Sequence, residues 1–254
     1  MEKQKVNLPL KQLPLNPTTK AEMREDARER LHLISKEFTD GFNFLENFLK
    51  SVTFFGGGHF KETNEYYIKA RSIASRIVTE LQYSVLTGGG PGIMEAANRG
   101  AFEAGGESIG LTIELPNHQV QNPFLTKNLD FHYFFSRKVC LSFSAEAYLF
   151  FPGGYGTMDE FFEIITLVQT GKIVKIPIIL VGHDFWKPID ELIKKEMLGR
   201  GAVDEEDIAL YIMTDNEDQI IEIIRNAPVH QGIKFTHKDL LPSGIDVSKQ
   251  DSLL

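Results

Sequence analysis

The rhythm of apolar and polar positions changes once along this chain, at Ser51. Before it, from Lys20 to about Lys50, apolar residues recur at helical spacing: Leu31, Ile34, Phe38, Phe42, Leu45 and Phe48 form one stripe. The same stretch opens with dense mixed charge (Glu22, Arg24, Glu25, Asp26, Arg28, Glu29, Arg30). The pattern predicts an amphipathic helix packed on the main domain or on a partner chain. Its polar face is not basic enough for a helix that lies on a membrane surface. Met1–Thr19, interrupted by Pro9, Pro14 and Pro17, reads as an irregular leader.

From Ser51 onward, short apolar runs alternate with helical segments. Strands are predicted over Ser51–Phe55, Ser84–Leu86, Ser108–Ile113, Asp130–Phe134, Ala147–Phe151 and Pro177–Val181. Helices are predicted over Asn64–Leu81, Gly92–Ala104, Ser136–Ser144, Thr157–Gln169, Asp184–Leu198 and Asn216–Ile224. This alternation implies an α/β fold: an open parallel sheet with helices on both faces, joined by right-handed crossovers. The chain divides into a leader and helix over 1–50, the α/β domain over 51–227 and a polar tail over 228–254, expected to be loosely attached or disordered. No internal repeat is visible.

Charge narrows the partners. The formal net charge is −8, and a non-specific grip on nucleic acid needs a surplus of Lys and Arg. A small anion held by backbone N–H groups and one or two cations remains open. The single cysteine, Cys140, excludes an intrachain disulfide framework and a cysteine-rich metal site, and it suits a reducing, cytoplasmic setting. No apolar run approaches the length of a membrane span, and Met1–Lys20 has no apolar signal core. The seven histidines (His32, His59, His118, His132, His183, His230, His237) lack metal-ligand spacing. His59 alone follows a glycine turn closely enough to touch a ligand.

Three predicted strands end in glycine-rich turns that lead into helices: Gly56–Gly58, Gly88–Gly90 and Gly153–Gly156. In an open parallel sheet ligands bind at this edge, near the point where strand order reverses. Glycine admits close backbone approach, and the free N–H groups of the next helix bind anions. None of the three fits the spacing of nucleoside triphosphatases, and Gly88-Gly89-Gly90-Pro91-Gly92 misses the dinucleotide fingerprint by one position. Tight strand-to-helix packing explains any one such turn equally well.

The densest segment is Pro152-Gly153-Gly154-Tyr155-Gly156-Thr157-Met158-Asp159-Glu160. Thr157 is placed to cap a helix or to meet a phosphate oxygen. Glu160, three residues on, either closes a capping box with it or points into the cleft. Glu163 lies one turn further along that face, and Asp159 is expected to point elsewhere. Arg137-Lys138 opens the preceding helix, where cations oppose the helix dipole, so the pair is either a solvated surface feature or a grip on an anion.

Thr87-Gly88-Gly89-Gly90-Pro91-Gly92-Ile93-Met94-Glu95-Ala96-Ala97, then Ser136-Arg137-Lys138, then Pro152-Gly153-Gly154-Tyr155-Gly156-Thr157-x-x-Glu160 resemble, in this order, the LOG (Lonely Guy) family, whose members have often carried a lysine decarboxylase label. The resemblance spans roughly Ser51 to Ile224 and implies a Rossmann-like nucleotide-binding domain, commonly a homodimer. It implies hydrolysis of a nucleoside 5′-monophosphate, such as AMP or a cytokinin riboside monophosphate, to free base and ribose 5-phosphate, without cofactor or metal. By motif, Arg137 and Glu160 match the catalytic pair. Gly57, Gly88, Gly89, Gly90, Gly92, Met94, Lys138, Gly153, Gly154, Tyr155, Gly156, Thr157 and Glu163 match the substrate pocket. Gly56-Gly57-Gly58 departs from the serine-bearing first turn of many members, and the fifty-residue leader is absent from the short ones. Two other readings stand beside this one: a non-catalytic nucleotide or cofactor carrier on the same fold, and a pyridoxal-phosphate decarboxylase. The latter needs a Schiff-base lysine, and Lys138 is the one lysine near the glycine turns.

Overall fold

The computed structural model describes residues 19–48, 50–114 and 121–227. The proposed leader and tail lie outside these residues. The elements are α1 (Lys20–Leu45), β1 (Ser51–Phe55), α2 (Glu65–Arg76), β2 (Ser84–Thr87), α3 (Ile93–Glu103), β3 (Ser108–Ile113), β4 (Lys127–Phe131), α4 (Phe134–Phe143), β5 (Ala147–Phe150), α5 (Tyr155–Gln169), β6 (Ile178–Leu180), α6 (His183–Leu192), β7 (Ile212–Met213) and α7 (Glu217–Arg225). Among the described residues no helix is long and apolar enough to cross a membrane.

The seven strands form one parallel sheet in the order β4-β3-β2-β1-β5-β6-β7. The order reverses between β1 and β5, so the crevice for a ligand opens where the chain leaves those two strands. Both sheet faces are covered, and the strands are apolar on both sides accordingly. Val52, Phe54, Ala147 and Leu149 face α2, α3 and α7, through Tyr67, Ile73, Ile93, Ala97 and Ile220. Phe55, Leu111, Tyr148 and Phe150 face the other helices, through Leu45, Cys140, Phe161 and the fully buried Trp186.

Several boundaries differ from the pattern-based reading. The strand expected over Asp130–Phe134 is β4, Lys127–Phe131, paired in register with β3 from Ile109↔Lys127 to Ile113↔Phe131. It is an edge strand with exposed Lys127, Asn128 and Asp130, so only Leu129 and Phe131 show apolar periodicity. β7 is a two-residue edge strand that leaves no pattern at all. α1 ends at Leu45, and Phe48 is buried beyond it. Only its second half packs on the domain; Leu31 lies exposed with the whole stretch from Lys20 to Leu33. α1 begins in a capping box, with Thr19 Oγ1 accepting from Glu22 N (3.2 Å) and Glu22 accepting from Thr19 N (2.7 Å).

Between β2, β3 and α3 lies a fully buried polar knot. Thr87 Oγ1 donates to Asn98 Oδ1 (2.6 Å) and accepts from Gly89 N (2.8 Å). Asn98 Nδ2 donates to Ser108 Oγ (3.0 Å) and Ile109 O (3.3 Å). Asn122 Nδ2 donates to Asn98 Oδ1 (2.9 Å) and Gly90 O (3.1 Å). The glycine turn after β2 is thus tied to a side chain that uses all its hydrogen-bonding capacity in the core. Buried groups left without partners cost about 1–3 kcal/mol each, so Asn98→Ala should lower the unfolding free energy by roughly 2–4 kcal/mol in a urea titration.

Candidate functional site

The turn after β1 meets the turn after β5, and the turn after β2 closes the third side. Gly57 N donates to Pro152 O (2.9 Å), and Ile93 N, at the start of α3, donates to Gly57 O (3.1 Å). Gly92 makes this closeness feasible: its φ is +73°, and a Cβ there would meet Gly57 O and Gly58.

α5 starts two residues earlier than expected. Gly154 is its N-cap, Tyr155 its first residue, and Met158 N makes the first intrahelical bond, to Gly154 O (3.1 Å). Thr157 is therefore inside the first turn and forms no capping box with Glu160. No side chain caps α5, which leaves its first-turn N–H groups directed into the crevice. Freed from a capping role, Glu160 sits one turn inside the helix and points into the cleft.

That crevice is a cavity of about 380 Å3, a size suited to a small ligand. Of the residues singled out from sequence, Gly57, Gly88, Met94, Arg137, Lys138, Gly154, Gly156, Thr157 and Glu160 line it, as does His59. Tyr155 and Glu163 line a shallower groove next to it, with Lys138 shared between the two. Gly89, Gly90, Gly92 and Gly153 belong to the turns and do not face the cavity. Phe134, Ile113 and Leu141 also line it. They escaped notice because each reads as an ordinary core position.

Arg137 projects from α4 beneath the ends of β2 and β3. Its Nε donates to Leu111 O (2.6 Å) and its Nη2 to Gly88 O (3.3 Å). Burial pulls its pKa down and Glu160 pulls it back up, but a guanidinium stays charged in a protein. Those two are the side chain's hydrogen bonds among the described residues, so guanidinium donors remain for a ligand.

Glu160 is 8% exposed, and its Oε2 is buried with no hydrogen-bond partner among the described residues. Burial pushes its carboxyl up to about 7; Glu163 and Asp159 add to the rise, Lys138 and Arg137 oppose it. Lys138 Nζ lies 2.8 Å from Asp159 Oδ2 and 2.6 Å from Glu163 Oε2. Asp159, expected to point away, thus turns back to α4, and the pair straddles Lys138. Burial alone would lower the Lys138 pKa; the bonds to Asp159 and Glu163 outweigh it and hold the ammonium above its ordinary range. No group of three or more His, Cys, Asp or Glu among the described residues is placed to hold a metal ion.

A protein-family model described as "Possible lysine decarboxylase" matches residues 94–224. The cytokinin riboside 5′-monophosphate phosphoribohydrolase of Rhodococcoides fascians is 27% identical over 144 residues, 55% of this chain and 72% of that protein. The pyrimidine/purine nucleotide 5′-monophosphate nucleosidase of Escherichia coli K12 is 27% identical over 156 residues, 54% of this chain and 33% of that protein. The X-ray structure of TM1055 shares the fold, with a TM-score of 0.54 at 21% identity over 69% of this chain and 98% of that one.

The raised Glu160 pKa makes the folded protein hold a proton that the unfolded chain has released between pH 4.5 and about 7. Stability therefore falls as pH rises through that window and levels off above it. Glu160→Gln should remove this slope and raise stability at pH 8 by roughly 3 kcal/mol, with little gain at pH 4. Thermal unfolding of both proteins across pH 4–8 checks it.

Proposed function

The chain belongs to the LOG family, whose model carries the description "Possible lysine decarboxylase", and from that premise we propose that it hydrolyses the N-glycosidic bond of a nucleoside 5′-monophosphate. The observation that carries this reading is the unpartnered, buried carboxylate oxygen of Glu160, aimed into a cavity that it shares with Arg137 and an uncapped helix N-terminus. A carboxylate in that position is costly to the fold unless a ligand uses it.

The chemistry follows from the geometry. The 5′-phosphate sits on the first-turn N–H groups of α5 and against the glycine turns, where dipole and free donors favour an anion. Its binding energy fixes the ribose over Glu160. C1′–N cleavage builds positive charge on the ribose, as in other glycoside hydrolyses, and the Glu160 carboxylate stabilises it. Water attacks C1′ and gives its proton to Glu160; the C1′–N bond pair leaves with the base, which takes up a proton from solvent, and Glu160 returns its own to solvent. Arg137, permanently charged, stabilises the departing base or holds the nucleotide rather than donating that proton.

A decarboxylase reading fits the site less well. A Schiff-base lysine must shed its proton to attack a carbonyl, and Lys138 is held protonated between Asp159 and Glu163. A buried carboxyl raised toward neutrality inside the cavity favours acid–base chemistry over a purely carrying role. The names of the two curated relatives support a nucleotide monophosphate as substrate.

Incubation with AMP should release adenine and ribose 5-phosphate in equal amounts, and nucleotide binding without product would refute the hydrolase. Glu160→Ala and Arg137→Ala should each lower kcat about 10²–10³-fold. Because Glu160 acts as the anion, kcat/KM should fall tenfold per pH unit below about 7 and level off above it. That acid limb should vanish in the residual activity of Glu160→Gln.

A further inference from the structure

α4 carries both cations of the site, yet nothing in its own sequence caps it. Its N-cap, Tyr133, makes no side-chain hydrogen bond to the helix. The cap arrives instead from α1. Glu37 Oε1 accepts from His132 N (2.7 Å), and Glu37 Oε2 accepts from Tyr133 N (3.3 Å) and Ser136 Oγ (2.5 Å). One carboxylate thereby collects three donors at the start of a helix 95 to 99 residues further along the chain. A negative charge belongs at a helix N-terminus.

The neighbouring contacts show that this meeting is built. Gly41, one turn after Glu37, lies so close to α4 that a Cβ would strike Cys140 Sγ and come 3.3 Å from the Phe131 ring. The Phe38 ring sits 6.4 Å from that of Phe135, and Phe42 packs edge-on against Phe143 at 6.1 Å. The path to the site is short. Tyr133, whose N–H Glu37 holds, accepts Arg137 N at its own carbonyl (3.3 Å), and the Arg137 side chain then reaches Leu111 O and Gly88 O.

We infer that Glu37 is a positioning residue: by clasping the first turn of α4 it fixes where Arg137 stands under the Gly88 turn, which makes the N-terminal helix a working part of the site. The inference rests on the hydrolase reading for its effect on turnover, but not for its effect on Arg137.

The test uses the full chain and two readouts. The first is the Nε–Hε signal of Arg137 in 15N NMR, assigned by its loss in Arg137→Lys. In the wild type it should be shifted and protected from exchange by its bond to Leu111 O. The second is AMP turnover, separated into kcat and KM. Glu37→Ala should shift or broaden the Hε signal and speed its exchange at least about tenfold. It should also lower kcat about 10- to 100-fold, the scale of a small misplacement of a reacting group, with a much smaller change in KM. Glu37→Gln, which keeps one acceptor oxygen, should lie between the two and serves both readouts if the alanine variant fails to fold. A wild-type Hε signal in a folded Glu37 variant overturns the inference, and so does unchanged kcat beside a displaced signal. If the wild type releases no adenine, the hydrolase reading fails, and the Hε measurement alone decides the role of Glu37.

Discussion

All the strands run the same way, so each helix that directly follows a strand begins at the same edge of the sheet. That one constraint gathers the glycine turns and the free N–H groups of α5 into a single crevice. The reversal of strand order between β1 and β5 then parts the helices there and leaves room for a ligand. The third turn, after β2, reaches the same crevice through the bond from Ile93 N to Gly57 O and is held from below by Thr87, Asn98 and Asn122. Main-chain turns form much of the crevice wall, and Glu160 and Arg137 bring a carboxyl and a guanidinium to it.

Those two side chains come from the helices on either side of one strand, β5. Arg137 rides on α4, which leads into β5, and Glu160 rides on α5, which leaves it. Their separation is bridged by Lys138, which spans from α4 to Asp159 and Glu163 on α5. The bridge ties the helices together and absorbs the carboxylates flanking Glu160. Among the described residues it leaves Glu160 Oε2 without a hydrogen bond, and the carboxyl's environment is set chiefly by burial.

Much of this was readable in advance. Runs such as Ser51–Phe55 and Ser108–Ile113 are apolar on both faces, as central parallel strands must be, and they were located at their true limits. The glycine turns marked the sheet edge where the crevice opens, because each interrupts the pattern at a strand end. What pattern could not supply was anything decided at long range. β4 and β7 lie at the sheet margins, where one side faces water and periodicity fades. The start of α5 was misplaced because Gly154, Tyr155 and Gly156 are poor helix formers, and tertiary contacts of the turn outweigh propensity there. Asp159 looked outward by helical spacing, yet Lys138 draws it back. Glu37 was one charge among many on α1, and nothing local linked it to the start of α4.

The exposed half of α1 deserves a mechanical view. From Lys20 to Leu33 no residue is buried, and among the described residues that half is held by its own ladder, the Thr19–Glu22 box and weak pairs such as Arg28–Glu25. An isolated stretch of that length is marginal in water; its order is borrowed from the anchored half. The helix is thus a cantilever with its fixed end at Glu37 and Gly41. Unwinding that begins among these exposed turns must travel several turns to that fulcrum before it reaches the contacts of Glu37 with α4.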